Sequence, residues 1–264
     1  MSIYAILLEE VYYNFEVKKM SDQYVDILGV SFYNTNRFQF VQQLDKHIIN
    51  NDKVFVVTAN PEIVMHANEE PKYMEIIKKA TYIIPDGIGI IKASRYLHRP
   101  IEERVPGFDT MIDLLNLANA KSYSIYLLGA KPGTVDKAVL EIEREYPQID
   151  IKGFHHGYFD WNSTEIRQEI MEKKPDLVFV ALGVPRQEKW IENNLPYFEK
   201  GIFMGIGGSF DVIAGEAKRA PLTWRKMNLE WLYRFIKQPS RGSRMLAIPK
   251  FVIEIFKQKV NERK

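Results

Sequence analysis

The 264-residue chain is 46% hydrophobic and 27% charged, ordinary for a globular protein with material for a large core, and it contains no cysteine. That excludes disulfides, thiolate metal sites and a cysteine nucleophile, and it fits a reducing compartment. The net charge of +2 hides an asymmetry. Residues 218–264 carry 13 Lys/Arg against 3 Glu, whereas residues 1–217 carry 23 basic against 31 acidic side chains, so the tail suits an anionic partner.

In chain order, residues 1–24 read as an N-terminal extension. Its start, Met1-Ser-Ile-Tyr-Ala-Ile-Leu-Leu-Glu-Glu10, lacks a basic leader and makes a poor signal peptide. No run reaches the roughly 18 apolar residues of a membrane span, so membrane contact is expected to be peripheral. From residue 25, β-rich runs at 25–30, 54–58, 82–84, 124–128, 177–181 and 202–204 alternate with helical windows. Those windows fall near 36–50, 61–79, 87–97, 107–120, 132–146, 163–173 and 186–194. Such alternation predicts an α/β fold, Rossmann-like, with a mainly parallel sheet sandwiched by helices over 25–217. After Ala220 the pattern turns helical, over 222–237 and 245–260 with breakers Pro239 and Gly242 between. Residues 218–264 therefore read as a basic helical appendage.

In open α/β folds ligands bind where strands end. The predicted exits are Thr58-Ala-Asn-Pro-Glu62, Pro85-Asp-Gly-Ile-Gly89, Gly129-Ala-Lys-Pro-Gly133, Gly183-Val-Pro-Arg-Gln187 and Gly205-Ile-Gly-Gly208, all polar or glycine-rich. The turns at 129–133 and 205–208 either hold a phosphate on backbone N–H groups or merely make tight connections. Neither carries the full G-x-G-x-x-G pattern or a Walker lysine. That counts against a nicotinamide-dependent oxidoreductase.

Single residues at these exits, and Arg104 at the start of a further helical segment, each have two readings. Asp86 is a general base or a turn aspartate capping a helix. Thr58 and Asn60 bind ligand or cap, and Gln187 offers its amide to a sugar or begins a helix. Arg104 can hold a diphosphate bidentately or be solvated. His155-His156 lacks the partners of a metal site, so no metal is expected. In the tail, Arg234, Arg241 and Arg244 alternate with Trp231, Tyr233 and Phe235, a pattern for an interface with phosphate and lipid. No nucleic-acid motif accompanies it. A non-catalytic membrane adaptor would use this tail alone and leave the polar strand exits without purpose.

Taken together these segments resemble the WecG/TagA/CpsF family of bacterial glycosyltransferases, over residues 25–244. The resemblance is carried by Asp26-Ile-Leu-Gly-Val30 and the exits above, with Arg104-Val-Pro-Gly107, Gly153-Phe-His-His-Gly-Tyr-Phe159, Gly205-Ile-Gly-Gly-Ser-Phe-Asp211, Arg219-Ala-Pro221 and Leu229-Glu-Trp-Leu-Tyr-Arg234. It implies inverting transfer of N-acetylmannosamine from a UDP-sugar donor to N-acetylglucosamine on undecaprenyl diphosphate, as in the linkage unit of wall teichoic acid. A uronic-acid or glucose donor is the alternative. It further implies no metal or other cofactor, no nucleic acid, and a cytoplasmic protein peripheral to the inner face of the membrane; a homo-oligomer stays open. By position, the resemblance makes Asp86 the catalytic base. It puts Thr58, Asn60, Arg104 and Gln187 in the substrate pocket, and Arg234, Arg241 and Arg244 on the tail motif, placed to close over the active site and hold the diphosphate.

Overall fold

A computed structural model describes residues 23–237 and 246–262. The chain enters as a hairpin, β1 (Tyr24–Ile27) and β2 (Val30–Tyr33), paired antiparallel. The single strand predicted over 25–30 is thus corrected. Leu28 and Gly29 both take positive φ, at 54° and 77°, the two-residue turn whose twist suits a hairpin. Helix α1 (Arg37–Ile49) follows, with Asn36 Oδ1 accepting from Gln39 N at 2.9 Å.

The main sheet begins at β3 (Lys53–Ala59) and β4 (Tyr82–Pro85). Between them the predicted helix over 61–79 divides into α2 (Pro61–Glu69) and α3 (Pro71–Lys78). Pro71 has no N–H to continue α2, and Glu70 before it is extended. Next come α4 (Ile88–Tyr96), α5 (Gly107–Lys121), β5 (Ser124–Gly129), α6 (Pro132–Glu145) and β6 (Asp150–His155). The series closes with α7 (Glu165–Lys173), β7 (Leu177–Ala181), α8 (Arg186–Asn194), β8 (Gly201–Gly205) and the short α9 (Ser209–Ile213). Strand β6 was not predicted. It lies at the sheet edge, is half-exposed, and contains Lys152 and Gly153 in place of an apolar run.

All six strands are parallel, in the order β4-β3-β8-β7-β5-β6. Side chains alternate between two cores, one on each face. Phe55, Val57, Val178 and Val180 join the helices α2, α3, α4 and α8, whereas Val54, Val56, Leu177 and Phe179 join α1, α5 and α6. Burial on both faces explains why the central strands read as unbroken apolar runs. The connections reverse side between β3 and β8: the chain leaves β3 for α2 on one face and β8 for α9 on the other, so that Ile63 and Phe210 join opposite cores. A crevice opens outside the strand ends at such a reversal.

Beyond the sheet lie α10 (Leu222–Lys226), α11 (Glu230–Lys237) and α12 (Ala247–Asn261). The predicted helix over 222–237 breaks between α10 and α11, where Asn228 has φ 60°. Helix α12 returns to the domain and packs on α2 and α4 through Phe251 and Ile255, 2% and 5% exposed. No helix among the described residues is long and apolar enough to cross a membrane.

Candidate active site

The exits of β3, β4 and β8 converge at the reversal. Thr58, near the end of β3, is buried and donates from Oγ1 to the carbonyl of Gly205 at 3.1 Å, joining β3 to β8. Asn60 caps α2 by accepting from Ile63 N at 3.0 Å. Asp86 continues β4, its N–H donating to Ala59 O at 2.9 Å, and its Oδ1 accepts the N–H of Gly107 at 3.3 Å. The carboxylate is therefore oriented by the first turn of α5, where the helix presents unsatisfied N–H groups. Close approach explains the glycines: a Cβ on Gly107 would stand 2.9 Å from Thr58 Cγ2, and one on Gly89 2.6 Å from Pro61 Cγ.

Two cavities meet at Asp86. The larger, of about 600 Å³, is lined by Asn60, Asp86 and Arg104 and by Trp231, Phe251 and Phe256 of α11 and α12. The smaller, of about 70 Å³, lies between Thr58, Asp86, Gly208, Ser209, Arg219 and Glu230. Asp86 and Glu230 line both. The fold thus puts a carboxylate where an apolar channel joins a polar pocket.

Arg219 ties the start of the appendage to this site. Its Nη1 and Nη2 donate to the two oxygens of Asp109 at 2.7 Å each, and its guanidinium lies 4.6 Å from the Phe108 ring centre. Its Nε is 3.7 Å from Glu230 Oε1, and Glu230 is only 8% exposed. Burial alone would raise the Asp109 carboxyl. The hydrogen bonds and charge of Arg219, with Arg37 and Arg104 nearby, outweigh burial and hold it below its ordinary value. Sequence reasoning gave Arg219 and Glu230 no role. Nothing in local sequence distinguishes Glu230 from a solvated helix glutamate.

Of the expected residues, Thr58, Asn60, Asp86 and Arg104 come together around the two cavities. Gln187 does not line them. It is 1% exposed, its Oε1 accepting from Gly207 N at 3.0 Å and its Nε2 donating to Glu188 Oε1 at 2.7 Å. Arg241 and Arg244 lie outside the described residues, as does the side chain of Arg234, whose backbone is in α11. The turn at 129–133 meets an internal anion instead: Glu216 accepts from Thr134 Oγ1 at 2.7 Å and Lys137 Nζ at 2.9 Å on the first turns of α6. His155 Nδ1 bonds the carbonyl of His156 at 2.7 Å. Among the described residues no group of three His, Cys, Asp or Glu side chains could hold a metal ion.

Comparison with known proteins agrees with this geometry. Residues 25–264 match the family described as glycosyl transferase WecG/TagA/CpsF. Two Staphylococcus aureus proteins, from strains MW2 and NCTC 8325, are 41% identical to the chain over 237 residues, 89% of it and 93% of each relative. A third, from strain MRSA252, is 40% identical over the same span. All three are named N-acetylglucosaminyldiphosphoundecaprenol N-acetyl-beta-D-mannosaminyltransferase. With six parallel strands, a carboxylate at the sheet reversal and a family match that runs from β1 through α12, this chain belongs to the WecG/TagA/CpsF glycosyltransferases.

Proposed function

We propose that the protein transfers N-acetylmannosamine from UDP-N-acetylmannosamine to the N-acetylglucosamine of an undecaprenyl-diphosphate acceptor, the step that builds the linkage unit of wall teichoic acid. The activity follows the name carried by relatives 41% identical over nearly their whole length. The single structural observation behind the chemistry is Asp86 at the junction of the apolar and polar cavities. On this reading the acceptor lipid lies against Trp231, Phe251 and Phe256, and its sugar reaches Asp86. Asp86 takes the proton of the acceptor hydroxyl, the oxygen bonds to the anomeric carbon, and the bond to UDP breaks on the opposite face with inversion. UDP leaves with the electron pair.

The charge growing on UDP needs fixed cations or donors. Arg104 and Lys92 line the large cavity and can serve; Arg234, Arg241 and Arg244 are proposed to close over the acceptor diphosphate. Thr58 and Asn60 are proposed to shape the pocket, both directly and through the strand and helix ends they hold. In this account residues 25–217 form the catalytic domain and 218–264 an appendage at the inner surface of the cytoplasmic membrane. Support for that surface comes from Ile253 and Val260, 54% and 56% exposed on α12 and outside the lining of the cavity.

The test is UDP release from UDP-N-acetylmannosamine, with UDP-glucose and UDP-N-acetylmannosaminuronic acid alongside, with and without a lipid-diphosphate N-acetylglucosamine acceptor and with EDTA. Acceptor-dependent release from the first donor alone, unaffected by EDTA, is expected. Preferential turnover of another donor would reassign the sugar, and no turnover of any would remove the transferase reading.

A further inference from the structure

Glu188 follows Gln187 in α8 and takes no part in the reaction above, yet it is 0% exposed. A carboxyl group is rarely placed in a core without a use for it. Its Oε1 accepts from Gln187 Nε2 at 2.7 Å, and Gln187 Oε1 accepts the Gly207 N–H at 3.0 Å. The two ends of an amide are nearly equal in shape, so shape alone does not orient it. Turned over, Gln187 would aim NH₂ at the Gly207 N–H, donor against donor. An acceptor on the far side fixes the choice, and Glu188 is that acceptor.

The amide in turn fixes the backbone. It packs so closely on Gly205 that a Cβ there would stand 2.6 Å from Gln187 Nε2. Thr58 Oγ1 holds the Gly205 carbonyl. The 205–208 turn is thus clamped between β3 and α8, and its Ile206 and Gly208 wall the small cavity beside Asp86.

We infer that the small cavity beside Asp86 receives part of the nucleotide-sugar donor and that Glu188 is a positioning residue for it: by orienting the Gln187 amide it holds the 205–208 turn as a rigid wall of that cavity. This rests on the transferase reading above. Tyr73 of α3 faces Glu188 in the core, although neither Tyr73 Oη nor Glu188 Oε2 meets a partner in hydrogen-bonding geometry. Around Tyr73 stand Glu62 and Glu70, the His66 ring 4.7 Å away, and Lys189, whose Nζ is 3.4 Å from Glu70. Burial pushes the Glu188 carboxyl up to about 7, against the lowering effect of the Gln187 amide, its own backbone and Tyr73. Oε1 can accept from Gln187 whether the group is charged or carries its proton on Oε2.

The experiment is a double-mutant cycle with Glu188→Leu, Gln187→Leu and both together, plus Glu188→Gln, in the full-length protein. Readouts are UDP affinity by calorimetry, the KM for donor and acceptor, and melting temperature. Each leucine variant is expected to weaken UDP binding roughly five- to tenfold, the size of one hydrogen bond. The pair should weaken it no further, because the two side chains act as one. Glu188→Gln, whose amide oxygen can accept the same bond, should restore affinity to within about threefold, and acceptor KM should not move. Folded leucine variants that bind UDP as wild type does would overturn the inference, as would additive losses or failure of Glu188→Gln to restore binding. If Glu188→Leu does not fold, Gln187→Leu and Glu188→Gln still decide it. Wild type that binds no UDP overturns the transferase reading as well, whereas active wild type with indifferent variants removes this inference alone.

Discussion

Asp86 is held on three sides: by Ala59 on its backbone N–H, by Gly107 N–H on its carboxylate, and by Pro85, whose carbonyl accepts from Val105. Its oxygen is therefore oriented before any substrate arrives, which is what proton transfer at a fixed distance needs. The second carboxyl group of interest, Glu188, has the opposite character. Its value rises from 4.5 unfolded to about 7 folded, so between these the folded form binds the extra proton. Stability should fall as pH rises through that window and level off above it, by on the order of 3 kcal/mol. Glu188→Gln has no such proton to lose. Its melting temperature should match wild type near pH 4.5 and exceed it at pH 8; parallel curves would remove the buried-carboxyl account. Asp109 runs the other way. Arg219 holds it low, so this contribution is present at neutral pH and disappears as pH falls through the lowered value. Arg219→Ala leaves Asp109 and Glu230 without their shared cation and should cost about 3 kcal/mol in urea denaturation at pH 7. At pH 3 the penalty should shrink.

At the scale of elements, strands were legible where both faces are buried, since Val54–Thr58 and Leu177–Ala181 can be nothing else in a parallel sheet. The edge strand Asp150–His155 was not, because an edge exposed to solvent needs no apolar run. Helix breaks at Glu70 and Asn228 were missed for a different reason: apolar spacing persists across a break of one to three residues, so periodicity alone does not see it. Around the two cavities, the positions of Thr58, Asn60 and Asp86 were legible because strand exits in an α/β chain can be located from the strands, whereas Arg104 lies ahead of α5 and was legible only as an arginine at a helix start. Glu230 and Arg219 were not, since their meaning comes from the bridge that Arg219 makes between Asp109 of α5 and Glu230 of α11, which local sequence does not announce. Helix α12 is attached mainly by Phe251 and Ile255 against α2 and α4, with Lys259 Nζ bonded to the Tyr96 carbonyl. Phe251→Ala should remove about 3 kcal/mol or more from that docking. The expected signature is faster amide exchange confined to residues 247–261, with protection of β3, β7 and β8 unchanged; uniform loss across the sheet would mean that α12 is part of the main core.

The molecule as a whole is an acidic body with a basic, apolar-faced end. On the proposed reading, charge draws that end to an anionic surface and the exposed side chains of α12 give it depth there. Binding to vesicles containing anionic phospholipid should exceed binding to neutral vesicles, and should drop several-fold between about 0.1 and 0.5 M salt as screening grows. Binding equal on both would locate the contact in apolar side chains alone. The channel from α11 and α12 to Asp86 then explains why the membrane end and the reacting end share one cavity. The central claim is that the Asp86 carboxylate, which lines both cavities, takes the acceptor proton. It is tested most directly by turnover of Asp86→Asn at saturating UDP-N-acetylmannosamine and lipid acceptor, with UDP affinity and melting temperature measured on the same sample. The account predicts a fall in kcat of about 10²- to 10⁴-fold, with UDP affinity and melting temperature close to wild type. A folded Asp86→Asn protein that turns over at the wild-type rate would contradict it.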